Sequence, residues 1–86
     1  MNIDTYNKWK NDFIKDMGKN EFDICLQLLK RGGNEVHITD AHYETGKDGL
    51  PKWAVVITSF AYWIGRFKTK KEAVKFCKNL DLKVMS

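Results

Sequence analysis

Trp53-Ala54-Val55-Val56-Ile57-Thr58 is followed, after Ser59-Phe60-Ala61, by Tyr62-Trp63-Ile64-Gly65-Arg66-Phe67 and then by Lys68-Thr69-Lys70-Lys71-Glu72-Ala73. The first two runs are β-branched and aromatic, which suits the pleated, half-buried surface of a strand. Together they are too long for one ordinary strand. A tight hairpin near Ser59-Phe60-Ala61 is therefore expected, although no glycine marks it. Thr69-Lys70-Lys71-Glu72 then reads as a capping box, in which the threonine hydroxyl accepts the Glu72 amide and the glutamate reaches back to the cap. Ala73, Phe76, Cys77 and Leu80 follow at the spacing of one helical stripe.

Working back from Trp53, Gly46-Lys47-Asp48-Gly49-Leu50-Pro51 is dense in turn formers and predicts a loop. Glu35 to Thr45 predicts another strand, with Val36 and Ile38 as its apolar positions. Before it, Ile3, Tyr6, Trp9, Phe13 and Met17 form one helical stripe, and Phe22, Cys25, Leu26 and Leu29 form a second. Asp4 and Asn20 are the expected N-caps of these segments. Lys30-Arg31-Gly32-Gly33 is a helix stop, with cations in the last turn and then glycine. The fold class is therefore α+β in a single domain. A helix or helix pair occupies residues 1–33, a three-stranded antiparallel sheet 34–68, and a helix packed on one sheet face 69–81. Residues 82–86 are a tail, in which Leu82-Lys83-Val84 forms a short edge strand or docks.

At 86 residues the chain has room for one core. No apolar run approaches a membrane span, and Met1-Asn2-Ile3-Asp4 lacks the features of a signal peptide, so a cytoplasmic location is expected. Cys25 and Cys77 lie at helical spacing among apolar residues and read as buried thiols, making neither a zinc motif nor a disulfide framework. The net charge of +4 is unevenly placed. Residues 1–34 carry +1, residues 35–51 carry −3, and residues 52–86 carry +6 from eight basic and two acidic side chains. A C-terminal excess of that size favours a polyanion. Lysine- and asparagine-rich usage suggests an AT-rich genome and fits a phage or mobile-element product.

His37, Asp40, His42 and Glu44 crowd one segment. Strand alternation sets Asp40, His42 and Glu44 on one face and His37 on the other, the pattern of a half-exposed polar face rather than a converging metal site. No nucleophile elbow, phosphate loop or second cluster accompanies them, so no enzyme, metal or cofactor is expected. Tyr62 and Trp63 are neighbours on a strand and must face opposite sides. Beside Lys52, Arg66 and Lys68, such aromatics provide stacking platforms with phosphate partners. Lys71, Lys75 and Lys78 share one face of the following helix.

The run from Lys52 to Ala73 resembles the last two strands and helix start of the plant ethylene-response-factor type DNA-binding domain. It is also similar to the arm-site-binding N-terminal domain of tyrosine-type transposon integrases. Those families lay a three-stranded sheet in the major groove, so the resemblance implies DNA binding, with Trp63 as a contact. Where the plant type carries arginine and glutamate on its middle strand, this chain has Thr58 and Val56, and Ala61 replaces a basic residue. The order of elements is also similar to the double-stranded-RNA-binding domain, whose lysine pair at the start of its last helix would fall on Lys70 and Lys71, while its third lysine falls on Val74. The expected function is a small nucleic-acid-binding domain, DNA more than RNA, using Lys52, Tyr62, Trp63, Arg66, Lys68, Lys70, Lys71 and Lys75. The alternative is a protein-interaction module, such as an inhibitor or adaptor of a host protein, anchored by Phe60, Tyr62 and Trp63.

Overall fold

The computed structural model describes residues 1–40 and 51–85. The expected strand residues 41–45 and loop residues 46–50 lie outside them. Two helices come first, α1 (Ile3–Met17) and α2 (Lys19–Arg31). The cap of α1 is Asn2, not Asp4: the Asn2 carboxamide accepts the Thr5 amide at 3.0 Å, and Asp4 sits in the first turn near the positive end of the helix. The cap of α2 is Gly18, not Asn20. Gly18 at φ 93° and ψ 161° ends one helix and starts the next, its amide donating to the Ile14 carbonyl and its carbonyl accepting from the Phe22 amide. Such backbone angles are open almost only to glycine. The α2 stop falls at Gly32-Gly33-Asn34, where Gly33 (φ 67°) and Asn34 (φ 60°) turn left-handed.

The sheet contains β1 (Glu35–Asp40), β2 (Trp53–Ile57), β3 (Tyr62–Phe67) and β4 (Lys83–Val84), in the order β3-β2-β1-β4. Both β1–β2 and β2–β3 are antiparallel. The expected three-stranded antiparallel sheet is corrected to four strands of mixed direction, because the tail pairs parallel to β1. After α3 (Lys70–Asn79), Asp81 at φ 57° reverses the chain. The Lys83 amide then donates to Asn34 at 2.8 Å and the Met85 amide to Val36 at 2.7 Å. The β2–β3 hairpin turns at residues 58–61, as the strand lengths demand. Ala61 takes the left-handed conformation (φ 52°) that glycine usually supplies, which is why no glycine announces the turn.

All three helices contribute to one core against one sheet face. Val36, Val55, Ile57 and Ile64 of the sheet meet Phe22, Cys25 and Leu29 of α2, and Ala73, Phe76 and Cys77 of α3. Trp9 of α1 joins them edge-on to Phe22 (centroids 5.0 Å apart) and Phe76 (5.8 Å). Its indole N–H donates to the Ile64 carbonyl at 2.8 Å, so the one polar atom of this large side chain is satisfied. Phe67 is half-buried and leans on Phe76 at 4.9 Å.

The cap of α3 is the one expected. Thr69 is extended, and its hydroxyl accepts the Glu72 amide at 3.1 Å. Thr69→Ala is expected to cost about 1 kcal/mol, read as a lowered urea midpoint with an unchanged slope. An unchanged midpoint would refute the cap's contribution.

Cys25 and Cys77 are both free and fully buried. Burial pushes the Cys25 thiol up to about 12, with the nearby Glu21 charge adding to it, and pushes Cys77 up to about 11. The thiolate is the reactive form. Neither cysteine should react with a disulfide reagent at pH 8 in the native state, and both should react once urea is added. Because each thiol ionises at higher pH folded than unfolded, its contribution to stability is complete below the ordinary value near 9.0. That contribution is lost as pH climbs from there to about 11 for Cys77 and about 12 for Cys25.

Candidate nucleic-acid interface

The sheet face turned away from the helices carries Glu35, His37 and Thr39 of β1 and Ala54 and Val56 of β2, by alternation from the core residues. His37 Nδ1 lies 3.2 Å from Thr58 Oγ1, which places both on this face. Asp40 is on the opposite side of β1 from His37, and His42 and Glu44 lie outside the described residues. Among the described residues no three histidine, cysteine or carboxylate side chains are grouped as metal ligands.

Tyr62 and Trp63 face opposite sides, as neighbours on a strand must. Tyr62 takes the helix side, where its hydroxyl donates to a Glu21 carboxylate oxygen at 2.6 Å. Burial, and then the Glu21 carboxylate, raise its phenol well above the ordinary range. It is held as a core-edge residue and is turned away from the face that carries Trp63. Trp63 packs across Ala54 and Val56, which are 0% and 2% exposed. The Arg66 guanidinium lies 5.5 Å from the Trp63 ring centroid and donates to the Pro51 carbonyl. The Arg66 Nε–H is buried without an acceptor among the described residues. Trp63 is thus half-buried and shares its surroundings with a cation, and is not a bare platform.

The cations gather at one end of the sheet. Trp53 pairs with Phe67, so Lys52, just before one strand, and Lys68, just after the other, emerge at the same end. The Lys52 ammonium lies 5.3 Å from the Trp53 ring centroid and 3.3 Å from an Asp40 carboxylate oxygen. The Lys70 ammonium, at the start of α3, lies 5.9 Å from the same ring. Lys71 follows, fully on the surface. Lys52 and Lys70 thus flank Trp53, Lys68 emerges at the same end of the sheet, Lys71 follows Lys70 in α3, and Arg66 reaches Pro51. Lys75 stands one helical turn further on and borders a separate cleft beside β3.

Two features were missed by reading residues one at a time. Trp53 is a half-buried ring flanked by two ammonium groups, and the only sequence signal was its position between Lys52 and the Thr69-Lys70 turn. The cleft beside β3 had no signal at all, because its walls come from α1 and α3. Comparisons with protein-family models, with curated proteins and with solved structures returned no match. No described helix is long and apolar enough to cross a membrane.

Proposed function

We propose that this chain is a small, non-enzymatic, cytoplasmic nucleic-acid-binding domain that grips a phosphate backbone with the basic end of its sheet. The observation that supports the reading is Lys52 and Lys70 flanking Trp53, with Lys68 at the same end of the sheet and Lys71 next to Lys70 in α3. Of these only Lys52 has a carboxylate within ion-pair distance among the described residues. Lysine ammonium groups neutralise phosphates and carry no base information, so binding is sequence-tolerant. The centre of the sheet face, with buried Ala54 and Val56, has few groups able to read base edges. The interface is therefore the end of the sheet rather than its middle. DNA is favoured over RNA by the likeness of the strand–helix run to sheet-type DNA-binding domains. Docking on a host protein through Phe60, Tyr62 and Trp63 is the weaker reading, because only Phe60 of the three is well exposed.

The test is a mobility-shift titration with duplex DNA, duplex RNA and single strands at 50 and 200 mM salt. About four phosphate contacts predict a loss of affinity of about 100-fold across that range. No shift with any of the three, or a shift indifferent to salt, rejects the reading.

A further inference from the structure

α1 and α2 are joined by one residue, Gly18. Its amide donates to the Ile14 carbonyl at 2.8 Å, and its carbonyl accepts from the Phe22 amide at 3.2 Å. Both bonds join residues four apart, and a continuous α-helix contains the same two bonds. The break is therefore confined to one dihedral pair, φ 93° and ψ 161°. In a straight helix the Lys19, Asn20 and Glu21 amides would also meet the Lys15, Asp16 and Met17 carbonyls, groups that a helix break leaves without intrahelical partners. Little holds the joint in its bent form. No side chain caps α2, and Lys15, Asp16, Met17, Lys19 and Asn20 are all exposed. Neither helix contains a proline that would prevent straightening.

α1 is held to the rest of the fold by contacts that a second copy of the chain supplies equally well. It folds back along α2, so that Met1 and Tyr6 line one cavity with Leu26 and Leu29. Phe22 receives Tyr6, Trp9 and Phe13 edge-on, and Phe76 receives Trp9. The Trp9 indole donates to the Ile64 carbonyl. The Asn2 amide donates to the Asn79 carbonyl at 2.7 Å, and the Asn79 carboxamide donates to the Thr5 hydroxyl at 3.1 Å. Each of these partners of α1 lies beyond Gly18 in the chain. We infer that α1 is an exchangeable arm, and that the place it occupies accepts α1 from a second copy of this chain. In the exchanged dimer α1 and α2 run on as one helix of about 29 residues, roughly 43 Å long. Each α1 then seats on the α2, α3 and sheet of the other copy. The exchange is reciprocal, so the assembly closes as a two-fold dimer and does not propagate. A very short connection held in a strained conformation is the kind that invites such exchange. Glycine tolerates the bent form, and this keeps the chain monomeric when dilute. The basic end of the sheet takes no part, so the inference is independent of the nucleic-acid reading.

The test compares the wild-type chain, Gly18→Ala, and a chain with two glycines inserted after Gly18. An added methyl group at position 18 meets no neighbour, so Gly18→Ala acts on the joint alone. Alanine resists the bent dihedral pair and is the best helix former. In sedimentation equilibrium Gly18→Ala should lower the dimer dissociation constant by at least about 100-fold. Wild type refolded at about 1 mM should yield a minor dimer that separates from the monomer. The inserted glycines relieve the joint and interrupt the straight helix, and that chain should stay monomeric. Dimers assembled from one isotopically labelled and one unlabelled chain should show filtered NOEs between the Trp9 indole proton of one copy and Ile64 of the other. A folded, monomeric Gly18→Ala overturns the inference. So does a dimer whose Trp9–Ile64 contacts stay within one chain, or equal dimerisation of the glycine-insertion chain. If Gly18→Ala does not fold, the refolded wild type decides, and the absence of interchain Trp9–Ile64 contacts there overturns the inference.

Discussion

Phe22→Ala is expected to lower the free energy of unfolding by about 3–5 kcal/mol, the cost of a large cavity in a packed core. Phe22 is 1% exposed and stands at the junction of α1, α2 and the sheet. Its ring meets Tyr6, Trp9 and Phe13 edge-on, with centroids 5.0–6.3 Å apart. Three of these neighbours are on α1, so the deletion also removes the surface that α1 leans on. A chain of this size has a total stability of about 5–15 kcal/mol at most, and the variant should be substantially unfolded in moderate urea. Phe22→Leu keeps most of the volume and should lose less than half as much. An unfolding free energy for Phe22→Ala within about 1 kcal/mol of the parent would show that the α1–α2 junction collapses around the gap.

Replacing Lys52, Lys68, Lys70 and Lys71 together with glutamine should reduce the salt dependence of DNA binding by about 3.6 logarithmic units, one increment of about 0.9 for each phosphate contact. Affinity at low salt should fall equally for unrelated sequences, because the lost contacts are to the backbone. All four side chains are exposed, so the fold should persist. The Lys52–Asp40 pair is partly exposed on both sides, and losing it costs only about 0–1 kcal/mol. Lys75→Gln serves as the comparison, since Lys75 faces the β3 cleft. If the single Lys75 change lowers the slope as much as the four together, the binding surface is the α3 flank and not the end of the sheet.

The sequence made most of the fold readable wherever a period or a cap was local. β3 appears at the residues expected from its alternation, β2 ends one residue early, and Thr69 caps α3 because a capping box is written within four residues. The caps of α1 and α2 were misplaced by two residues each, because Asn2 and Asp4, and Gly18 and Asn20, all have the chemistry of a helix start. Only the chain direction at each end chooses between them. The parallel pairing of Lys83–Val84 was not readable as such, since its partner β1 lies about fifty residues away and a two-residue strand has no period. The same holds for the proposed interface. The excess of basic residues after Lys52 was visible, but that Lys52 and Lys68 share one end of the sheet follows from the Trp53–Phe67 register, and that Tyr62 lies on the helix side follows from its bond to Glu21.

Gly18 is the single residue between α1 and α2, and its dihedral pair lies where a side chain is almost never tolerated. No neighbour would obstruct an added methyl group, so the restriction is in the backbone alone. α1 supplies one whole wall of the cleft beside β3. The placing of that wall is therefore shared between the torsion at Gly18, the Trp9 indole midway along the fifteen-residue helix, and the Asn2 amide on the Asn79 carbonyl at its start. A residue with a Cβ at position 18 would strain this joint while meeting no neighbour, so its cost would be felt in how α1 seats against the sheet and not in any lost contact.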